Sequence, residues 1–123
     1  MHSNTTLVLG ASLKPQRASN QAIHRLVERG FPVVAIGLQE GEVAGVSIQK
    51  GQPELDNIDT VTLYLGPQNQ EAIYEYVENL QPRRIIFNPG TENPVFYQRA
   101  KAKGIEVEVA CTLVLLSLGQ YAN

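Results

Sequence analysis

The run Leu7-Val8-Leu9-Gly10-Ala11-Ser12-Leu13-Lys14-Pro15-Gln16-Arg17 decides how the chain is read. An apolar, strand-like triplet stops at a glycine and gives way to a small, polar, cationic loop. Over residues 21–29 the apolar positions then fall at Ala22, Ile23, Leu26 and Val27, the spacing of one helix face. Ser19 or Asn20 is placed to cap that helix and Gly30 to close it. Strand, glycine turn and helix make the first half of a βαβ unit.

Working outward, the pattern recurs. Residues 33–36 form a second apolar strand that stops at Gly37. Residues 39–52, with Gly41, Gly45 and Gly51, read as loop with a short strand at best. A third strand over 59–65 ends at Gly66-Pro67, and residues 69–80 carry a helical face of Ala72, Ile73, Tyr76, Val77 and Leu80. A fourth strand, 84–87, ends at Asn88-Pro89-Gly90. Residues 94–103 form a helix opened by proline, a residue suited to a first turn. Residues 107–110 are the fifth strand and 112–118 the last helix. Strands separated by helices predict a parallel sheet, and successive apolar positions within a strand predict cover on both faces. The expected fold is therefore α/β: a three-layer, doubly wound, parallel five-stranded sheet, Rossmann-like, in the order 3-2-1-4-5.

At 123 residues the chain fits one domain, 1–123. Lysine and arginine number 10 against 12 aspartates and glutamates, a net charge of −2. That balance argues against a general nucleic-acid binder, which would show a basic face. One cysteine excludes an intramolecular disulfide and points to the cytoplasm. Residues 1–6 hold no basic region before an apolar stretch, so no secretory signal is expected. The apolar run Leu113-Val114-Leu115-Leu116 is far short of the roughly 20 residues that span a bilayer, so no membrane partner is expected.

In an open α/β sheet, ligands bind beyond the carboxyl ends of the strands. The loop after the first strand is thus the best candidate site. Gly10 and Ala11 permit close backbone approach, and free N–H groups at a helix start favour an anion. Ser12 adds a hydroxyl, and Lys14 and Arg17 add two cations. A tight turn with two solvated charges is the plainer alternative, but cations inside the loop favour a phosphate cradle. The loop is not a Walker A motif, since no Gly-Lys-Ser/Thr follows. It is not the full dinucleotide fingerprint either, because Ser12 stands where the second glycine belongs. Strand two ends in Gly37-Leu38-Gln39, with Glu40 too late for the acidic residue that bonds an NAD ribose. NADP is less strongly excluded, since Lys14 or Arg17 can meet a 2′-phosphate.

The loop Gly10 to Pro15 with Arg17, Ser19 and Asn20 resembles that of the small stand-alone CoA-binding proteins. These are similar to the N-terminal domain of the succinyl-CoA synthetase alpha chain. Asp59-Thr60-Val61, Asn88-Pro89-Gly90-Thr91-Glu92-Asn93 and Ala110-Cys111-Thr112 extend the likeness over nearly the whole chain. The resemblance implies a Rossmann-like domain whose first loop holds the phosphates of CoA or acyl-CoA. Gly10, Ala11 and Ser12 would contact phosphate, with Lys14 and Arg17 offsetting its charge and Pro15 and Ser19 in the same loop. The adenosine side would lie at Gly37 and Leu38 and at Gly66, Pro67 and Gln68. Many relatives carry Asn-Pro after strand two where this chain has Gly37-Leu38. The phosphate-carrying histidine of the synthetase lies in a second domain, so synthetase activity is not expected of these residues.

Asn88, Pro89, Gly90 and Thr91 lie at the same sheet edge and are placed to bind pantetheine or an acyl group, or else to cap the next helix. Glu92 has no nucleophile paired with it, so no catalytic residue is assigned. Cys111 could join CoA in a mixed disulfide, but a small buried hydrophobe is the simpler reading. His2 and His24 lack metal-ligand neighbours. Arg83-Arg84 reads as a solvated surface pair, and Tyr74, Tyr76 and Tyr97 as packing or surface residues. The apolar last helix covers the sheet or meets a second copy or a partner enzyme. Two other functions stay open: an NAD(P)-linked or other nucleotide-using enzyme, and a ligand-free interaction module.

Overall fold

The computed structural model describes residues 3–122. In chain order the elements are β1 (Thr5–Ala11), α1 (Ala18–Glu28), β2 (Val33–Gly37), β3 (Gly41–Val43), β4 (Val46–Gln49) and β5 (Ile58–Leu63). Two 3-10 turns, Pro67–Asn69 and Glu71–Ile73, lead into α2 (Tyr74–Leu80). The chain continues through β6 (Arg84–Phe87), α3 (Pro94–Ala102), β7 (Glu106–Val109) and α4 (Thr112–Ser117). The helix expected over 69–80 is thus α-helical only from Tyr74.

The strands form one sheet in the order β3-β4-β2-β1-β5-β6-β7. All neighbours are parallel except the β3–β4 pair. The five expected strands are present and the fold is the expected doubly wound α/β sheet. Their order is 2-1-3-4-5, not 3-2-1-4-5. The expected third strand, β5, lies against the other edge of β1, because the outer edge of β2 is already taken. A hairpin from the presumed loop fills it, with Ala35 paired to Ile48. The hairpin turns on Ala44-Gly45, both with positive φ (51° and 81°), as a two-residue primed turn requires. Alanine is an unusual residue for that conformation, so the turn carries no sequence signal.

β1 is central and covered on both faces, which is why it reads as a continuous apolar run. Val8, Ala35 and Ile86 face α1 and α4 and pack with Ile23, Leu26 and Leu116. Leu7, Leu9, Val61, Leu63, Ile85 and Phe87 face α2 and α3 and pack with Val77, Phe96 and Ala100. Phe87 and Phe96 meet edge to face, with centroids 5.5 Å apart. Three layers result. On α4, Leu116 is buried, whereas Val114 is exposed, as are Leu118 just past its end and Val109 on β7. Among the described residues no helix is long and apolar enough to cross a membrane.

The reading of Arg83-Arg84 as a solvated pair is corrected at Arg84. Successive strand residues face opposite sides of a sheet, and Arg84 turns inward until it is 2% exposed. Its Nε donates to Thr60 Oγ1 at 3.0 Å and its Nη1 to Glu108 Oε1 at 2.8 Å, and the guanidinium lies over the Tyr121 ring. Paired and hydrogen-bonded in this way, the charge is tolerated inside. Arg83 remains at the surface, bound to Asp59.

Candidate functional site

Three strand ends are pressed together at the top of the sheet. At Gly10 the chain bulges between Leu9 and Ala11 with φ +98°. A Cβ there would lie 3.0 Å from the Tyr64 carbonyl carbon. Gly37 approaches more closely still: its Cβ would fall 2.3 Å from the Ala11 carbonyl oxygen. Both glycines are therefore required by sterics. After β1 the chain crosses to β2 on one side, and after β5 it crosses to β6 on the other. The point where these directions diverge lies between β1 and β5, and such a divergence leaves a crevice.

A cleft of about 920 Å³ occupies that crevice, near the upper end of the range for small-molecule sites. Gly10, Ala11, Ser12, Lys14, Arg17, Ser19, Gly37, Leu38 and Gly66 line it. The loop braces itself. Ser12 Oγ accepts from the Lys14 N–H (3.1 Å), the Ser12 carbonyl accepts from Asn20 Nδ2 (2.9 Å), and the Arg17 N–H donates to the Lys14 carbonyl (3.0 Å). Neither Ser19 nor Asn20 caps α1, contrary to expectation. Arg17 occupies the cap position, and no side chain caps the helix. Ala18 and Ser19 of its first turn face the cleft with N–H groups suited to an anion. Among the described residues Lys14 and Arg17 enter no ion pair, and no carboxylate lines the cleft.

Pro15 and Pro67 lie outside the cleft lining, as do Asn88, Pro89, Gly90 and Thr91. The reason is hydrogen bonding. Asn88 is 1% exposed, and its Nδ2 donates to Thr62 Oγ1 (2.8 Å) and the Leu63 carbonyl (2.9 Å). Its Oδ1 accepts from the Thr112 N–H (2.8 Å), so it fastens α4 to β5 and β6. The Thr91 hydroxyl donates to the Asn88 carbonyl (2.8 Å), and the Gly90 N–H donates to Glu92 Oε1 (2.9 Å). These groups are spent within the fold. Cys111 is half-buried at the cap position of α4 and does not line the cleft either. His24 is exposed on α1.

The sequence did not single out several wall residues. Leu65, Asn69, Ile73 and Tyr76 line the side toward α2, and Gly51 and Gln52 the side toward the hairpin. Their wall is held by Gln70, fully buried, whose Nε2 donates to the Leu65 carbonyl (2.9 Å) and the Thr91 carbonyl (2.8 Å). Asn93 donates in turn to Gln70 Oε1 and to Tyr74 Oη, both at 2.9 Å. Tyr64 also borders the cleft. Burial pushes its phenol up to about 12, and the nearby Thr62 and Thr112 hydroxyls offset this only partly. The phenol stays neutral at physiological pH. Among the described residues no group of three His, Cys, Asp or Glu is placed to hold a metal.

A family model described as a CoA binding domain matches residues 4–117. A crystal structure described as an uncharacterized protein is 42% identical, with a TM-score of 0.92 over 98% of this chain and 99% of that one. The cell-free ID.343 structure from Thermus thermophilus is 24% identical, with a TM-score of 0.83 over 96% of this chain and 90% of that one. The dinucleotide-forming acetyl-coenzyme A synthetase 1 of Ca. Korarchaeum cryptofilum, solved with phosphate and ADP, shares the fold. It is 18% identical, with a TM-score of 0.70 over 86% of this chain and 25% of that one. No curated protein is similar enough to match.

Proposed function

The chain belongs to the CoA-binding domain family, and from that premise we propose that it binds CoA or acyl-CoA in the cleft between β1 and β5. The phosphates sit at Gly10, Ala11 and Ser12, with Lys14 and Arg17 offsetting their charge and the first turn of α1 supplying N–H donors. The adenosine side runs past Gly37 and Leu38 toward Gly66. One observation carries this reading. In a protein of net charge −2, the described residues lining the cleft include two cations and no carboxylate. Gly10 and Gly37 bring the ends of β1, β2 and β5 to backbone contact beside the first loop. The proposed role is binding for carriage, sensing or presentation; among the described residues lining the cleft, none makes a nucleophile–base pair. A single cysteine suits a cytosolic setting.

NADP is the second reading, because Leu38 and Gln39 put no negative charge against a 2′-phosphate. A thermal-shift titration with CoA, acetyl-CoA, NAD and NADP separates the two. CoA at 100 times its dissociation constant stabilises the fold by about 2.7 kcal/mol, or about 10 °C for a domain of this size. No shift at millimolar CoA overturns the proposal, and a shift with NADP alone selects the second reading.

A further inference from the structure

The crossovers β1 to β2, β5 to β6 and β6 to β7 each carry a helix, whereas β4 to β5 carries none. Residues 50–57 instead run as an extended strap over the face that also bears α2, with Leu55 packed on the core. A helix with its side chains is about 10 Å wide, and a single extended strand covers less. The space this leaves at the carboxyl ends of the strands is the apolar arm of the cleft. Ile36 and Leu65 form its floor, Ile73 and Tyr76 one wall, and Gly51 and Gln52 the other.

Two hydrogen bonds tie the strap to the α2 side. Tyr76 Oη donates to the Pro53 carbonyl at 2.6 Å, and Gln52 Nε2 donates to the Ala72 carbonyl at 3.1 Å. The first is partly buried and the second exposed, so the first holds more firmly against competing water. We propose that Tyr76 is a positioning residue: its hydroxyl pins the strap and so sets the width of the arm that receives the planar base of the nucleotide. Apolar walls with one aromatic ring suit a flat heterocycle, and Asn69 offers an amide at the rim for its edges. This rests on the CoA-binding reading above.

Tyr76→Phe keeps the ring and removes only the donor. Isothermal titration is run with CoA and with 4′-phosphopantetheine, which has a phosphate but no base. CoA affinity falls about fivefold in the variant, the affinity for 4′-phosphopantetheine stays unchanged, and amides of residues 50–57 exchange faster. Gln52→Ala, which releases the strap from its other tie, shows a smaller loss with the same ligand split. It serves as the test should Tyr76→Phe fold poorly. A merely structural role lowers stability and leaves the ratio of the two affinities alone. Equal CoA affinity in wild type and both variants, or equal weakening of both ligands, overturns the role of Tyr76 and leaves CoA binding standing. Failure of the wild type to bind CoA overturns both.

Discussion

Lys14→Ala is the sharpest test of the phosphate loop, because the backbone at that position does the structural work. The Lys14 N–H is held by Ser12 Oγ and its carbonyl by the Arg17 N–H, and alanine keeps both bonds. The ammonium is exposed and enters no ion pair among the described residues, so its removal leaves no charge orphaned in the fold. What is lost is its attraction to a ligand phosphate. At about 4 Å, unit charges attract by about 1 kcal/mol in water and by about 4 kcal/mol at an effective dielectric of 20. An exposed lysine sits near the lower figure, so the dissociation constant for CoA rises about five- to tenfold. Lys14→Glu adds repulsion and costs more than Lys14→Ala. Isothermal titration at 0.05 M and at 1 M salt reads the effect, since the screening length falls to about 3 Å at 1 M. The ratio of variant to wild type therefore shrinks toward one at high salt, with the melting temperature of the free protein unchanged. An unaltered dissociation constant, or a ratio that survives 1 M salt, refutes a charge contact between Lys14 and phosphate.

Three further substitutions probe the scaffold. Asn88→Ala strands the Thr112 N–H in a buried seam and removes a donor from Thr62 Oγ1 and the Leu63 carbonyl. It costs about 3 kcal/mol in urea unfolding while the folded variant binds CoA as the wild type does; a selective loss of binding would put Asn88 back in the site. Gly37→Ala drives a Cβ to 2.3 Å from backbone, so it lowers stability by about 2 kcal/mol and weakens CoA binding as well, both measurable in one ligand-dependent melting series. Glu78 is bound by Arg99 at 2.7 Å, and that hydrogen bond holds its carboxyl below the usual 4.5. Its stabilising contribution is complete above pH 4.5 and is lost as pH falls through the lowered folded value. The urea midpoints of wild type and Glu78→Gln should differ at pH 7 and converge toward pH 3.

The first loop was legible because its signals are local. An apolar run, a glycine and two cations within eleven residues, 7–17, place strand, turn and candidate anion site on one short segment. The strand order was not legible, because which edge of β1 receives β5 depends on what already occupies β2. That occupant was a hairpin turning on Ala44 in a conformation alanine rarely adopts. Arg84 reads as solvated, and Asn88 as a ligand contact or a capping residue, for a related reason. Each is a polar residue at a strand end, where solvent or ligand contact is the ordinary inference. Only the neighbouring strands and α4 supply the Thr60 hydroxyl, the Glu108 carboxylate and the Thr112 N–H that consume their hydrogen-bonding capacity.

The site is in this sense made of things left out. Two missing Cβ atoms let β1, β2 and β5 close to backbone contact at their carboxyl ends. A missing helix between β4 and β5 opens an apolar arm over the sheet. Missing carboxylates leave Lys14 and Arg17 unopposed among the described residues lining the cleft. A glycine can be read from sequence, but its necessity depends on how near another strand passes. An apolar arm depends on a long-range crossover. Net charge conceals the third feature altogether, because the sum is −2 and only the fold shows which positive charges line the cleft with no carboxylate beside them. Binding an anion with a flat heterocycle attached would need the two features side by side, and the switch in strand direction between β1 and β5 is what sets them there.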